Sequence, residues 1–347
     1  MARYILGIET SCDETAAAVF DIKNRTILSN VLFSQIAEHG VYGGVVPEIA
    51  SRSQLEKIDG IVRKALDDAK VSLDAIDIIG VTCKPGLVGS LLVGISFAKA
   101  LAWAGNKKLI GVDHLEGHIF SSFLKPDGSF NEQLSFPHIC LSASGGHTAI
   151  YLVKDFGVYE LIAATIDDAA GEAFDKVAKM MGYNYPGGAT IERLASEVQF
   201  KDFYKFTRTR KTEIFFSFSG LKTAVLYRLV KLGVYDLAQG PLLAQMSHQI
   251  KQEISSSLLV CITDIFENNI KQALRMYPDV KAVTFVGGVA CNKYMRTRLE
   301  KVCQRRGKQF FAAPPQSCTD NAAMIALVAS YKAKQGKFSD LTLDVFG

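Results

Sequence analysis

Two histidines, His114 and His118 in Val112-Asp113-His114-Leu115-Glu116-Gly117-His118, stand at i and i+4. On a helix that spacing puts both imidazoles on one face, where they can converge on one divalent cation. A metalloprotease would carry its general-base Glu directly after the first histidine, as H-E-x-x-H. Here Glu116 comes two residues after it, about 200° round a helix of about 3.6 residues per turn, so peptide hydrolysis is not expected. The competing reading is a histidine pair on a solvated face that binds nothing. Asp320, in Cys318-Thr319-Asp320-Asn321 ahead of an Ala-rich stretch at 322–334, offers a third ligand. Two His and one carboxylate suit zinc or iron(II) with positions left open for substrate. The other role open to Thr319 or Asp320 is to cap the helix that follows.

Anion chemistry is offered elsewhere. The turn Ser144-Gly145-Gly146-His147-Thr148 lies between two apolar runs. Its glycines free backbone N–H groups to cradle phosphate oxygens, although a plain hairpin would use the same residues. Gly287-Gly288, with Asn292 at a helix start, carries the same two readings. Neither is a P-loop, and no G-x-G-x-x-G follows a strand. Asp168, Glu172 and Asp175 stand at i, i+4 and i+7 and would share a helical face. Lys176 and Lys179 could screen them as a solvated face, or the three carboxylates could hold a ribose or a cation. Tyr185-Pro186-Gly187-Gly188 makes a sharp turn, with Glu192 shortly after. Lys201, Lys205, Arg208, Arg210 and Lys211 are interleaved with Phe203, Tyr204, Phe206, Phe215 and Phe216, a mixture suited to phosphate contacts and base stacking. A second basic run, from Lys293 to Lys308, reads as the solvated side of an amphipathic helix.

These residues are positioned by a plan that the chain writes twice. Strand-like Tyr4–Glu9 breaks into the turn Thr10-Ser11-Cys12-Asp13-Glu14, followed by Thr15–Phe20, a turn, and Thr26–Phe33. The order recurs as His138–Ala143, the Ser144–His147 turn, Thr148–Val153, a turn, and Val158–Ala164. Each half later has an apolar strand, Ile76–Val81 or Val280–Val286, ending in a glycine-containing loop that opens a helix. Hairpins followed by helices alternating with parallel strands define an α/β class. The second half carries roughly 70 extra residues, the scale of added helices rather than one loop, over about 167–245. Two such halves with a cleft between them would turn their glycine-rich loops toward a nucleotide.

With 347 residues, 48% hydrophobic and 21% charged, the chain is long enough for two ordinary domains. A net charge of +4 is mild, so an anionic partner has to be met by a local patch. Seven cysteines without a C-x-x-C pair argue against a disulfide framework or thiolate zinc site and suit a reducing cytoplasm. No secretory leader opens the chain, and no apolar run reaches the ~18 residues of a membrane span. A cytoplasmic protein with no membrane partner is expected.

Ten segments, taken in order, resemble the TsaD family, bacterial type. They are GIETSCDET (7–15), YGGVVPEIASR (42–52), PGLVGSLLVG (85–94), DHLEGH (113–118), SGGHT (144–148), DDAAGEAFDKVAK (167–179), YPGG (185–188), FSFSGLKT (216–223), GGVACN (287–292) and CTDNAAM (318–324). The family comprises tRNA N6-adenosine threonylcarbamoyltransferases, formerly described as O-sialoglycoprotein endopeptidases. The resemblance implies the duplicated actin-like, sugar kinase and Hsp70 (ASKHA) fold, with two subdomains flanking a nucleotide cleft. The first would be 1–133, completed by the C-terminal helix at about 320–347; the second would be 134–319, carrying an inserted basic helical segment at about 167–245. It implies that His114, His118 and Asp320 bind one divalent metal per subunit, Fe2+ or Zn2+. It implies that threonylcarbamoyl-AMP is the substrate and contacts Ser142, Ala143, Ser144, Gly145, Gly146, Asp175, Gly188, Glu192 and Asn292. The activity implied is transfer of the threonylcarbamoyl group to N6 of adenosine 37 in tRNAs reading ANN codons, with TsaB-like and TsaE-like partner proteins. Asp13 and Glu14, in the first turn, are the candidate catalytic residues for proton handling or substrate orientation. The sequence departs from the family pattern at Lys84, where Gly is usual, at Ala143 and at Ala189. The leading alternative is a small-molecule kinase or carbamoyltransferase of the same fold. The paired histidines and the basic-aromatic insertion speak against it, and a noncatalytic scaffold would have no need of Asp13, Glu14 and the metal triad.

Overall fold

Apolar runs rich in Ile, Val and Ala form two five-stranded sheets, the composition that packs well on a pleated surface. The computed structural model describes residues 2–42, 44–208 and 214–345. The chain divides into two units, Met1–Leu134 with Asp155–Val158 and Ala313–Gly347, and Ser135–Lys154 with Tyr159–Ala312.

The first unit runs β1 (Tyr4–Glu9), β2 (Glu14–Asp21), β3 (Thr26–Ser34), α1 (Ile36–Gly40), α2 (Pro47–Ala69), β4 (Ile76–Lys84), α3 (Val88–Ala104), β5 (Lys108–Asp113) and α4 (His114–Phe120). Its sheet is ordered β3-β2-β1-β4-β5. β1 pairs antiparallel with β2 and parallel with β4. Its centre is covered on both faces, so β1 and β2 are buried almost throughout and read as continuous apolar runs.

The second unit runs β6 (His138–Ala143), β7 (Thr148–Asp155), β8 (Val158–Ala164), α5 (Ala170–Met180), α6 (Gly188–Glu197), α7 (Ser219–Lys231), a two-residue ladder of β9 (Tyr235–Asp236) and β10 (Gly240–Pro241), α8 (His248–Met276), β11 (Ala282–Val286), α9 (Lys293–Gln304) and β12 (Gln309–Ala312). The sheet order is β12-β11-β6-β7-β8. Each sheet is thus built on a central first strand, with its two hairpin strands to one side and two parallel strands to the other. Residues 167–245, expected as an insertion, hold α5, α6, α7 and the small ladder.

The chain then returns to the first unit for α10 (Pro315–Cys318) and α11 (Ala322–Lys334). Residues 313–319, expected with the second half, belong to the first unit, as do 155–158. Gln316 Nε2 donates to the Pro126 carbonyl at 2.8 Å, and Phe156 stacks on Tyr331 and meets Phe120 and Phe123. Gly7 of β1 lies directly under α11, where a Cβ would stand 2.5 Å from the Ala322 carbonyl oxygen and 2.8 Å from Ala326 N. That close approach pins the start of α11 over β1 and carries Asp320 with it. Among the described residues no helix is long and apolar enough to cross a membrane.

Candidate functional site

In the first unit, β5 runs straight into α4 because Asp113 caps the helix, accepting from Leu115 N at 2.8 Å and Glu116 N at 3.3 Å. His114 is therefore the first helical residue and His118 lies one turn on, with ring centroids 4.7 Å apart. Asp320 Oδ1 is 3.0 Å from His118 Nε2 and 3.4 Å from His114 Nε2. Donors around one ion at about 2.0–2.1 Å stand roughly 3.0–3.4 Å from one another, so these three fit a single divalent cation. The cap of α11 is neither Thr319 nor Asp320 but Asn321, which accepts from Met324 N at 3.1 Å. Asp320 is left to the histidines. Glu116 is buried and paired with Lys332 at 3.2 Å, outside the triad.

A fourth residue, Glu9, escaped the sequence reading as a site residue. It is fully buried; Oε2 lies 3.1 Å from His114 Nδ1 and accepts from Thr82 Oγ1 at 2.5 Å, and Oε1 accepts from Ser11 N at 2.5 Å. A carboxylate on Nδ1 fixes the tautomer that leaves Nε2 for a metal. The only signal in the sequence was a Glu closing an otherwise apolar strand. His118 Nδ1, by contrast, is buried without a hydrogen-bond partner.

The turn after β1 adds Cys12, Asp13 and Glu14. Burial opposes the charged form of His114, but Asp320 and Glu9 outweigh it and raise its pKa to about 9. Burial, then Asp320 and Asp13, push the Glu14 carboxyl well above the ordinary carboxylate range. The Cys12 thiol is pushed up by burial, Asp13 and Asp320 and stays protonated. Asp13 is buried with Oδ2 unpartnered. Glu9, Asp13, Glu14 and Asp320 thus crowd two imidazoles, and a cation bound among them would compete with the protons that His114 and Glu14 hold.

In the second unit, the turn between β6 and β7 is closed by Ser144 N donating to the His147 carbonyl at 2.8 Å, and Ser144 Oγ accepts from His147 N at 3.2 Å. Gly145 and Gly146 are exposed. The start of α5 is docked onto this turn. Gly171 N donates to the Ser144 carbonyl at 3.1 Å, and Thr148 Oγ1 accepts from Ala170 N at 2.9 Å. Gly287 has φ +87°, and any Cβ there would collide with the Ala143 carbonyl, so this position demands glycine. Asp175, its pKa raised by burial, accepts from Gly187 N at 2.6 Å and fixes the turn into Gly188, where α6 begins. Glu192 accepts from Lys293 N at 2.7 Å and Tyr294 N at 3.1 Å, and Asn292 caps the same helix through Met295 N at 2.9 Å. The expected substrate contacts are thus brought into one framework, in which Asp175, Glu192 and Asn292 also hold the backbone.

Three expectations are corrected, the second and third in part. Asp168, Glu172 and Asp175 do not share one helical face, because α5 begins at Ala170. Asp168 pairs with Lys176 at 3.2 Å and Lys222 at 2.8 Å, and Glu172 with Lys176 at 2.6 Å. Part of the basic-aromatic segment serves the fold, while its Lys201 and Lys205 are exposed. Phe206 and Phe216 are buried, and Arg208 bridges Asp202 and Asp264 at 2.6 and 2.9 Å. Arg210 and Lys211 lie outside the described residues. In the second run, Arg298 is not simply solvated but joins α9 to α8 through Glu267 at 2.6 Å and Asp264 at 2.9 Å.

The same architecture occurs in solved structures. Full-length HypF in the phosphate- and nucleotide-bound form matches with TM-score 0.61 at 15% identity, over 97% of this chain and 47% of that one. The Acidaminococcus fermentans (R)-2-hydroxyglutaryl-CoA dehydratase component A gives 0.54 at 15% identity, over 95% and 99%. The class is therefore the duplicated ASKHA fold, here bearing a His, His, Asp cluster of metal-binding geometry. Within that class, the family model for TsaD, tRNA N6-adenosine threonylcarbamoyltransferase, matches residues 26–327. The protein of that name from Thermodesulfovibrio yellowstonii is 45% identical over 340 residues, 98% of this chain and 97% of its own length. The one from Brucella abortus (strain S19) is 45% identical over 95% of this chain and 90% of its own. The chain belongs to the TsaD family.

Proposed function

We propose that this protein transfers the threonylcarbamoyl group from threonylcarbamoyl-AMP to N6 of adenosine 37 in tRNAs reading ANN codons, forming N6-threonylcarbamoyladenosine. The observation that carries this reading, beside the family membership, is the His114, His118 and Asp320 triad set against the acidic turn at Asp13 and Glu14. The exocyclic amine attacks the carbamoyl carbonyl, a C–N bond forms, and AMP leaves as the mixed-anhydride bond breaks. A divalent cation, Fe2+ or Zn2+, held by His114 Nε2, His118 Nε2 and Asp320, would supply electrostatic stabilisation of developing negative charge. Asp13, whose Oδ2 is buried without a partner, is the group placed to take the amine proton, and Glu14 orients the substrate. Exposed Gly145 and Gly146 offer backbone N–H groups to the adenylate phosphate, and Ser142, Ala143 and Ser144 complete its contacts. Asp175, Gly188, Glu192 and Asn292 position its ribose and base.

Lys201 and Lys205 of the insertion, with TsaB-like and TsaE-like partners, would help dock tRNA, and the reaction is cytoplasmic. The test combines purified chain, synthetic threonylcarbamoyl-AMP and unmodified tRNA, with and without those partners. Modified adenosine should form with the wild type and fall to background with His114→Ala. Absence of product in every combination, or wild-type turnover by His114→Ala, would overturn the reading.

A further inference from the structure

The turn that presents Asp13 and Glu14 is unusually dependent on one side chain from α2. The Ser11 carbonyl is taken by Leu87 N at 2.8 Å and the Asp13 carbonyl by Gln35 N at 3.0 Å. The other three, of Thr10, Cys12 and Glu14, all lie on Gln54 Nε2, at 3.4, 2.9 and 3.1 Å. Ser90 Oγ adds a weaker contact to the Cys12 carbonyl at 3.3 Å. Gln54 has no solvent exposure, and its Oε1 is buried without a partner. A buried amide oxygen left unpaired is a cost, and here it is borne so that the nitrogen can face three acceptors. The orientation is forced, because a flipped amide would set its oxygen against three carbonyl oxygens.

We infer that Gln54 is a positioning residue for the acid pair: its amide nitrogen sets the curvature of the Thr10–Glu14 turn and thereby the aim of Asp13 and Glu14. This inference rests on the role proposed above for those two carboxylates. Gln54 touches neither substrate nor metal ligand, and acts through backbone carbonyls alone. Gln54 follows directly on the 42–52 segment singled out in the sequence, whose residues 47–52 form the first turns of the same helix.

The test uses the full chain with its partners, in single-turnover transfer from threonylcarbamoyl-AMP. Gln54→Met keeps length and volume without donors; Gln54→Glu keeps shape and polarity but carries no amide hydrogen. Displacement of a reacting group by an ångström costs about 100-fold in rate, so each variant should lose about that much in kcat. The KM for tRNA and for the donor should hold within about twofold. Amide exchange in residues 10–14 should quicken while the exchange of the second unit stays as in the wild type. On an Asp13→Asn, Glu14→Gln background the Gln54→Met loss should shrink to nearly nothing, since both groups it aims are gone. Wild-type kcat in both Gln54 variants, with Asp13→Asn and Glu14→Gln impaired, overturns this inference alone. So does a Gln54→Met loss that multiplies in full with the Asp13→Asn, Glu14→Gln pair. Wild-type kcat in both Asp13→Asn and Glu14→Gln overturns the role of the acid pair, and this inference with it.

Discussion

A carboxylate with no exposure survives in a core only when donors surround it, and Glu9 has three: Ser11 N, Thr82 Oγ1 and His114 Nδ1. The negative charge it holds against the back of His114 strengthens Nε2 as a ligand. Glu9→Gln keeps the shape and loses that charge, so divalent metal affinity should fall by about 10–100-fold, measured by chelator competition on the purified chain. Unchanged affinity would remove Glu9 from the metal site. His114, His118 and Asp320 were legible in the sequence because a spacing of four residues is converted to geometry by a single helix turn. Glu9 and Gln54 were not, since they meet His114 and the Cys12 carbonyl across 105 and 42 residues of chain, distances over which residue type alone says nothing.

At the level of elements, the strands β1, β3, β6 and β8 fall where the strand-like runs predict, and the recurrence of hairpin strands was readable before any coordinates. The start of α5 was not. Asp167 and Asp168 look like the first turn of a helix, but Asp167 instead accepts from Phe218 N at 2.7 Å and Ser219 N at 3.2 Å at the head of α7. A local pattern cannot anticipate a capping partner 51 residues away. The loop after β11 carries a sharper constraint in Gly287, whose φ of +87° and contact with Ala143 leave no room for a side chain. Gly287→Ala should destabilise the protein by about 2 kcal/mol, the scale of backbone strain at a glycine-only conformation, and lower Tm in thermal unfolding. An unshifted Tm would show that the loop yields freely.

For the molecule as a whole, the three candidate metal ligands come from sequence positions two hundred residues apart, yet all belong to the first unit. Metal binding should therefore stabilise that unit selectively, by about 2.7 kcal/mol at a free metal concentration a hundred times Kd. Hydrogen exchange should slow in α4 and around residues 313–321 on adding metal and return on chelation, with the amides of the second unit unaffected. Protection spread evenly through both units, or none, would count against the site. The repeated strand order has a consequence of another kind. The turn after β1 and the turn after β6 are the same hairpin corner in two copies, one furnished with Cys12, Asp13 and Glu14, the other with Ser144, Gly145 and Gly146. Acidic side chains at the first corner disfavour an anion, whereas Gly145 and Gly146 at the second leave the backbone open to one. The same corner is thus chemically opposite in the two units, acidic with Asp13 buried in the first, glycine-rich and exposed in the second.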